Sequence, residues 1–171
     1  MFRVLIKGSL PDVWNEITRT DAPIPAFFNS RMDVGNLQAG SRLAMRTPDG
    51  RYTNVVGEIL ECVPMKRFAH TFLFTNYDDP ECKVIYDLKV VEGGVQFTLT
   101  IEDLPRGTRT DKQMTQGGKM IVNTLKAVIE TGRPSFGIRM LYILFKLLAP
   151  LSPKRCRSEH WPVSDNDEKA D

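Results

Sequence analysis

The sequence has few of the residues that build metal or nucleophile sites. Its 171 residues include two histidines, His70 and His160, and three cysteines, Cys62, Cys82 and Cys156. The cysteines form no Cys-x-x-Cys pair, and neither histidine has the spacing of a metal ligand. The sequence therefore predicts no metal and no cofactor. An odd number of widely spaced cysteines also favours a reducing, cytoplasmic location over a disulfide framework.

The chain also lacks an excess of charge of either sign. Lys and Arg total 23 against 21 for Asp and Glu, a net charge of +2 that gives no electrostatic reason to expect nucleic acid as a partner. Polar residues at Lys7, Ser9 and Asp12 interrupt the N-terminal apolar run, so a signal peptide is not expected. With 42% hydrophobic and 26% charged residues, the composition predicts one ordinary soluble domain.

Residues 9–29 predict two very short helices in succession. Ser9 can cap the first helix, which begins near Leu10. Asp21 can cap a second helix, which Pro25 and Asn29 limit to about two turns. Helices of this length are unstable alone in water, so we expect both to pack on a larger element.

That larger element is predicted to be a sheet. Between Gly40 and Ile101 the sequence contains five strand-like runs, separated by clusters of glycine, proline and aspartate. With the opening run FRVLIK they predict six strands, mostly antiparallel because the connections are short. The positions that alternate onto one face are Leu43, Met45, Phe68, His70, Phe72, Phe74, Val84, Tyr86, Leu88, Val95, Phe97, Leu99 and Ile101.

A long amphipathic helix is predicted over residues 110–130. Its apolar positions recur at helical spacing, and Gly132 and Pro134 supply the stop. We expect its apolar face to lie on the sheet.

The order of these elements resembles a known superfamily. The segments VWNEIT, GEILECVPMKRFAHTF, VQFTLTIED and GGKMIVNTLKAVIE are similar to those of START-like, birch-pollen-allergen-like (SRPBCC) proteins. Within them, the branch resembled is the C-terminal domain of the heat-shock chaperone ATPase activator (AHSA-like). The resemblance runs from Phe2 to about Glu130 and implies an α+β helix-grip fold. In this fold a curved six-stranded, mostly antiparallel sheet carries two short helices after its first strand and a long helix across it.

The resemblance also implies an apolar cavity between the sheet and the long helix. Different members of the superfamily use this cavity for lipids, sterols, polyketides or protein contacts. Where the branch usually has glycine followed by tryptophan in the long helix, this chain has Gly117 and Gly118. The missing indole predicts a larger or more open cavity, and the expected filler is the region after residue 134.

That region predicts an additional helix. The segment SFGIRMLYILFKLL is apolar on most sides and ends before Pro150, which makes it too short to cross a bilayer. Three burials remain open: against its own domain near the glycine pair, in a homodimer through Phe136–Leu148, or on a membrane surface beside the basic run at residues 154–157. The lack of a broad charged face favours protein burial over the membrane.

The sequence thus divides into a helix-grip domain over residues 1–132, an extension with the apolar helix over residues 133–163, and an acidic tail over residues 164–171. The composition of the tail predicts disorder.

The preferred functional hypothesis is non-enzymatic binding of a small hydrophobic or amphipathic ligand between the sheet and the long helix. His70 would supply a polar contact, and no residue is assigned a catalytic role. The predicted ligand-binding residues are Met45, Phe68, His70, Phe72, Tyr86, Phe97, Gly118, Val122 and Leu125. The same aromatic pattern suits a filled core, so an open cavity is an expectation from the resemblance.

Two alternatives remain. The first is a protein-interaction module of the chaperone-ATPase-activator type. The second is a cyclase-like or hydrolase-like enzyme acting on an aromatic substrate, with His70 as acid or base.

Overall fold

A computed structural model describes residues 1–163 of the chain. The predicted tail, residues 164–171, lies outside the described residues. The strands are β1 (Phe2–Ile6), β2 (Arg31–Val34), β3 (Arg42–Arg46), β4 (Thr53–Val63), β5 (Arg67–Phe74), β6 (Cys82–Val91) and β7 (Gly94–Glu102). The α-helices are α1 (Leu10–Thr18), α2 (Arg109–Thr131) and α3 (Phe136–Leu148), and short 3₁₀ turns lie at Pro25–Phe27, Ala149–Leu151, Lys154–Cys156 and Ser158–His160.

The strands form one antiparallel sheet in the order β1-β7-β6-β5-β4-β3-β2. From β2 onward each strand pairs with its neighbour in the chain, whereas β1 pairs with β7, with Phe2 opposite Leu99 and Ile6 opposite Val95. The long helix α2 packs on one face of this sheet, as the burial of Met114, Val122 and Leu125 in the common core shows. The predicted α+β helix-grip fold is confirmed.

The predicted number of strands was too low by one. Across residues 1–163 the sheet has seven strands, and the strand missed is β2, which pairs only with β3. Only Met32 of its four residues is buried, so the run RMDV has too few apolar positions to stand out as a strand.

Irregular register bends the long strands of the sheet. The pairing shifts between Met45 and Arg46 on β3 and again between Ile59 and Glu61 on β4, and such bulges kink and twist a strand locally. At Gly57 a side chain would overlap the carbonyl oxygen of Thr71 on β5, so only glycine allows this close approach of the two backbones.

The first of the two predicted short helices is confirmed. Ser9 caps α1 by accepting a hydrogen bond from the backbone N–H of Asp12 at 3.2 Å, and Val13, Trp14 and Ile17 are buried. The second prediction was wrong in both its length and its cap. The chain forms only a three-residue 3₁₀ turn, Pro25–Phe27, preceded by Ile24.

The turn ends abruptly because two consecutive residues leave the helical region. Phe28 and Asn29 have φ values of 56° and 58°, a left-handed conformation that bulky residues such as Phe rarely adopt. The turn is nevertheless well packed, since Ala26 and Phe27 are buried in the core.

The end of α2 follows the predicted stop signal. Gly132 adopts a left-handed conformation with φ of 74°, and its N–H donates to the carbonyl of Val128 at 2.8 Å. This is a common way for a helix to terminate, and it redirects the chain towards α3.

The helix α3 is present where predicted but is not buried. None of its residues is buried, and its outward side chains include Phe136 and Leu147, which are 76% and 71% exposed. Within residues 1–163 no single helix is long and apolar enough to span a membrane. Helix α2 and the segment Phe136–Leu151 reach the necessary length and hydropathy only when taken together, and they form a pair bent by 116°.

The segment after α3 returns to the sheet and is held there by polar contacts. Arg46 of β3 is largely buried and donates to the Asp33 carboxylate at 2.7 Å, the Thr53 hydroxyl at 2.8 Å and the Trp161 carbonyl at 3.0 Å. Ser158 adds a backbone bond to the carbonyl of Arg51 at 3.0 Å. The extension is therefore anchored at both ends, by α2 before α3 and by the β3–β4 hairpin after it.

Candidate functional site

A cavity of about 640 Å³ lies between the sheet, α2 and the C-terminal extension. The sheet contributes side chains from β3 to β7, α2 contributes one helix face, and α3 with the turns after it covers the remaining side. The lining includes Phe27, Phe28, Met45, Val55, His70, Phe72, Phe74, Tyr77, Val84, Tyr86, Leu99, Ile101, Met114, Gly117, Gly118, Ile121, Tyr142, Ile143, Phe145, Lys146, Leu148 and Cys156.

Aromatic rings form a nearly continuous row along this cavity. Tyr86 stacks on Phe27, with ring centroids 5.2 Å apart, and lies 5.8 Å from the His70 ring. From His70 the row continues through Phe72 to Phe74, at centroid separations of 6.3 and 4.8 Å. Alternation along β5 produces this row, because every second side chain of a strand points to the same face.

His70 is the polar group at the centre of the row. Its side chain is completely buried, and Nδ1 lies 2.6 Å from the carbonyl oxygen of Thr71. A carbonyl can only accept, so Nδ1 carries the proton and donates, and Nε2 is left as an acceptor. Among the described residues, Nε2 has no hydrogen-bond partner. Burial lowers the pKa of His70 to about 4, so the ring is neutral at physiological pH.

Tyr86 lies next to His70 and is also buried. Burial raises the pKa of its phenol well above the usual value, so the hydroxyl stays protonated. The pair offers hydrogen-bonding atoms within otherwise apolar surroundings.

Five of the predicted ligand-binding residues border the cavity, and four lie in the packed core. Met45, His70, Phe72, Tyr86 and Gly118 belong to the lining. The other four, Phe68, Phe97, Val122 and Leu125, are buried in the hydrophobic core and are not part of the lining. Sequence alternation identifies the face of the sheet but not how far along it the open space extends.

The glycine pair borders the cavity, but its neighbours differ from those predicted. A side chain at Gly118 would overlap the ring of Phe2 on β1, and one at Gly117 would lie 3.0 Å from Cζ of Phe28. The prediction that the region after residue 134 fills this space was therefore wrong. Rings from the first strand and from the turn after α1 occupy it.

The sequence-based site prediction omitted the C-terminal extension. Tyr142 reaches from α3 to the body of the protein, where its hydroxyl donates to the carbonyl oxygen of Pro25. Burial raises the pKa of Tyr142 to about 12. Its position on the narrow polar stripe of an apolar helix was the available signal, because a tyrosine in that setting usually has a hydrogen-bond partner.

The arrangement is suited to binding. Within residues 1–163 no group of three or more His, Cys, Asp or Glu side chains could hold a metal ion. The cavity offers a large apolar surface, and its lining also includes the neutral, buried His70 and other polar side chains such as Asn54 and Gln113.

Comparison with known proteins gives one family match. Residues 7–130 match the family described as "Activator of Hsp90 ATPase homolog 1-like protein". No match was found among curated proteins.

Solved structures of similar fold include proteins from several sources. DynU16, from the dynemicin biosynthetic locus, has a TM-score of 0.62 and 18% identity over 78% of this chain and 47% of its own. This chain therefore spans about half of the DynU16 chain. CalU16 from Micromonospora echinospora has a TM-score of 0.59 and 17% identity over 87% of this chain and 84% of its own. The Aha1 dimer from Colwellia psychrerythraea has a TM-score of 0.55 and 17% identity over 77% of this chain and 95% of its own. At these identities the likeness establishes the fold.

Proposed function

The chain belongs to the Activator of Hsp90 ATPase homolog 1-like family, and on this premise we propose that it binds a small hydrophobic or amphipathic molecule in its cavity. The observation that carries the proposal is the cavity of about 640 Å³ beside a row of aromatic rings. This volume lies within the range of about 300–1,000 Å³ that is typical of small-molecule sites.

The apolar lining supplies the main driving force for binding. Burying about 300 Å² of apolar ligand surface at about 25 cal/mol per Å² contributes about 7.5 kcal/mol before association costs. Those costs are several kcal/mol, so this apolar contribution alone corresponds to millimolar affinity at best. A micromolar complex needs about 8.2 kcal/mol net, which requires a larger buried ligand area or additional polar contacts.

The predicted residues divide between two roles in this proposal. Met45, Phe72 and Tyr86 contact the ligand directly, and Gly118 leaves room in the α2 side of the cavity for the ring of Phe2. Four core residues pack behind the cavity lining and hold the ligand-contacting side chains in position: Phe68, Phe97, Val122 and Leu125.

His70 biases the choice of ligand. Among residues 1–163, Nε2 has no hydrogen-bond partner, and a missing hydrogen bond in an apolar environment costs about 1–3 kcal/mol. A ligand with a hydroxyl or N–H group that reaches this atom satisfies it, whereas a ligand with only acceptor groups does not. We therefore expect alcohols and phenols to bind more tightly than the matching ketones or ethers.

Calorimetry and thermal shift with fatty acids, sterols and aromatic polyketides test the proposal. Binding should show a negative heat-capacity change, because apolar surface is buried. Ile121→Trp should reduce binding by filling the cavity from α2, whereas Val90→Trp places the same ring on the exposed β6–β7 hairpin and should leave binding unchanged. If no member of the panel binds with a negative heat-capacity change, the proposal fails.

A second candidate function is activation of a chaperone ATPase, which the family description supports. The test is an ATPase assay with the chaperone of the same organism at stoichiometric amounts. Clear stimulation that survives Ile121→Trp would favour this function over ligand binding.

We place either function in the cytoplasm. This is supported by Cys62, Cys82 and Cys156, which are all free thiols, as expected of a reducing compartment.

A further inference from the structure

The helix α3 has an apolar face without a partner within the described residues. Its members recur at helical spacing on one side and are between 48% and 79% exposed. We call this surface the α3 stripe; it consists of Phe136, Met140, Ile143, Leu144 and Leu147 of α3 together with Leu151 of the turn that follows. Contiguous exposed apolar surface of this kind usually marks a contact site.

The charge around the α3 stripe is of one sign. Between Gly132 and Ser158 the chain has six basic residues and no acidic residue, although the whole chain carries only +2. The basic residues are Arg133, Arg139, Lys146, Lys154, Arg155 and Arg157. Arg155 pairs with Asp78 at 2.8 Å and Arg157 with Glu159 at 3.5 Å. As far as the structure describes the chain, the other four have no ion-pair partner.

Two of these cations border the α3 stripe itself. Arg139 and Lys146 are seven residues apart, so they lie on the same side of α3, and both are exposed. Their long side chains can extend past the apolar residues and place a charge beyond them.

The α3 stripe also adjoins the opening of the cavity. Ile143 and Lys146 are exposed on α3 and at the same time line the cavity. Any surface that contacts the stripe therefore lies next to the way into the cavity.

From this combination, and against the sequence-based expectation of protein burial, we infer that α3 docks the protein on an anionic membrane surface, with the cavity opening turned towards the lipid. At about 1.5 Å per residue the 13-residue helix is about 20 Å long, which suits a helix lying in the plane of the interface. Apolar side chains enter the acyl region, while Arg139 and Lys146 meet lipid phosphates. The inference goes beyond the proposed function and rests on the α3 surface alone, so it holds whether or not the cavity takes a ligand.

A second copy of the chain fits this surface less well. An antiparallel pairing of two α3 stripes across a two-fold axis would place Arg139 and Lys146 of both copies on the same side of the contact, and like charges close together are unfavourable. An anionic bilayer accepts both the apolar side chains and the cations.

Vesicle co-sedimentation with the full chain tests the inference. The protein should sediment with phosphatidylcholine vesicles that contain phosphatidylglycerol, and much less with phosphatidylcholine alone. Raising the salt from about 0.05 M to about 0.5 M should weaken the binding, because the lipid charge is screened.

Variants separate the contribution of the cations from that of the apolar side chains. Arg139→Gln with Lys146→Gln should weaken partitioning about 25-fold, at about a fivefold loss for each cation. Leu144→Ser with Leu147→Ser should weaken it by more than about tenfold. The matched control, Lys89→Gln with Val90→Ser, changes an exposed cation and an exposed apolar residue on the β6–β7 hairpin and should have no effect.

Three outcomes would overturn the inference. One is no sedimentation with anionic vesicles at low salt, and another is equal sedimentation of the wild type and both α3 variants. The third is a dimer in sedimentation equilibrium that Leu144→Ser with Leu147→Ser dissociates, without vesicle binding. That result would assign the α3 stripe to a second copy.

Discussion

His70 couples the stability of the protein to pH. Its pKa is about 4 in the folded protein, against 6.5 for the unperturbed side chain, because burial disfavours the charged ring. Between these values the unfolded chain binds the proton and the folded protein does not. The stability contribution is thus complete above pH 6.5 and is lost as the pH falls, by about 3 kcal/mol at pH 4.

Chemical denaturation at several pH values checks this prediction. His70→Phe removes the titrating group but keeps a planar ring, and its stability should fall less between pH 6.5 and pH 4. His160→Gln changes the exposed second histidine and should follow the wild type. Parallel curves for wild type and His70→Phe would contradict the assignment.

The glycine pair in α2 should respond unequally to alanine. Alanine is favoured over glycine in a helix by about 1 kcal/mol. At Gly117 the new methyl group meets only the tip of Phe28, which is 36% exposed and can shift, so we expect a gain of up to about 1 kcal/mol. At Gly118 the methyl group overlaps the ring of Phe2, and overpacking of about 1–3 kcal/mol outweighs the helix propensity.

A double-mutant cycle with urea denaturation tests the cause. In the background of Phe2→Ala the overlap is gone, so Gly118→Ala should become stabilising. A loss of similar size in both backgrounds would exclude Phe2 as the cause.

At the level of secondary structure, the spacing of apolar residues predicted the main helices and strands but not what each of them packs against. The long strands and α2 have many apolar positions, so their type and order followed from the sequence. The short strand β2 has too few, and the turn at Pro25–Phe27 depends on the left-handed residues that follow it. The sequence left open whether α3 is covered by its own domain, by a second copy or by a membrane, since an apolar face does not specify what covers it.

The cavity lining was only partly predictable for a related reason. Alternation placed His70, Phe72 and Tyr86 on the correct face of the sheet. Which residues on that face meet open space depends on where Phe2, Phe28 and α3 pack, and those contacts join distant parts of the chain.

The anchor of the C-terminal extension depends on Arg46. Replacing it by methionine keeps the apolar stem but removes the hydrogen bonds to Asp33, Thr53 and the Ser158 and Trp161 carbonyls. We expect a loss of about 2 kcal/mol, because hydrogen bonds to a charged group are worth about 1.5–3 kcal/mol and Asp33 remains partly solvated. Hydrogen exchange should accelerate at residues 152–161 more than in β6.

Arg51→Met provides the matched control. Arg51 is exposed and lies 3.9 Å from Asp49, a surface pair that contributes little. Equal effects of the two substitutions would mean that Arg46 does not anchor the extension.

At the scale of the whole molecule, Tyr142 joins the extension to the turn after α1 across the cavity. Tyr142→Phe removes the hydrogen bond to the Pro25 carbonyl, which is worth about 0.5–1.5 kcal/mol. If this bond holds α3 over the cavity, the exchange of a bound hydrophobic dye such as anilinonaphthalene sulfonate should become about 2- to 10-fold faster.

Stopped-flow fluorescence measures this rate, with Tyr52→Phe as the control because Tyr52 does not line the cavity. Unchanged exchange in Tyr142→Phe would show that α3 does not limit access.

The strand order also sets a sequence of events during protein synthesis. Each strand from β3 to β7 can pair with its predecessor as soon as it leaves the ribosome, but β1 waits for β7, about ninety residues later. At about 5–20 residues per second, the N-terminal strand spends about 5–20 s without its partner. During that interval Phe2 has no sheet to join, and the space beside Gly118 that its ring later occupies is empty. The nascent protein therefore fills the space beside Gly118 with a ring from the earliest-made strand of the sheet, and only after the rest of the sheet has formed.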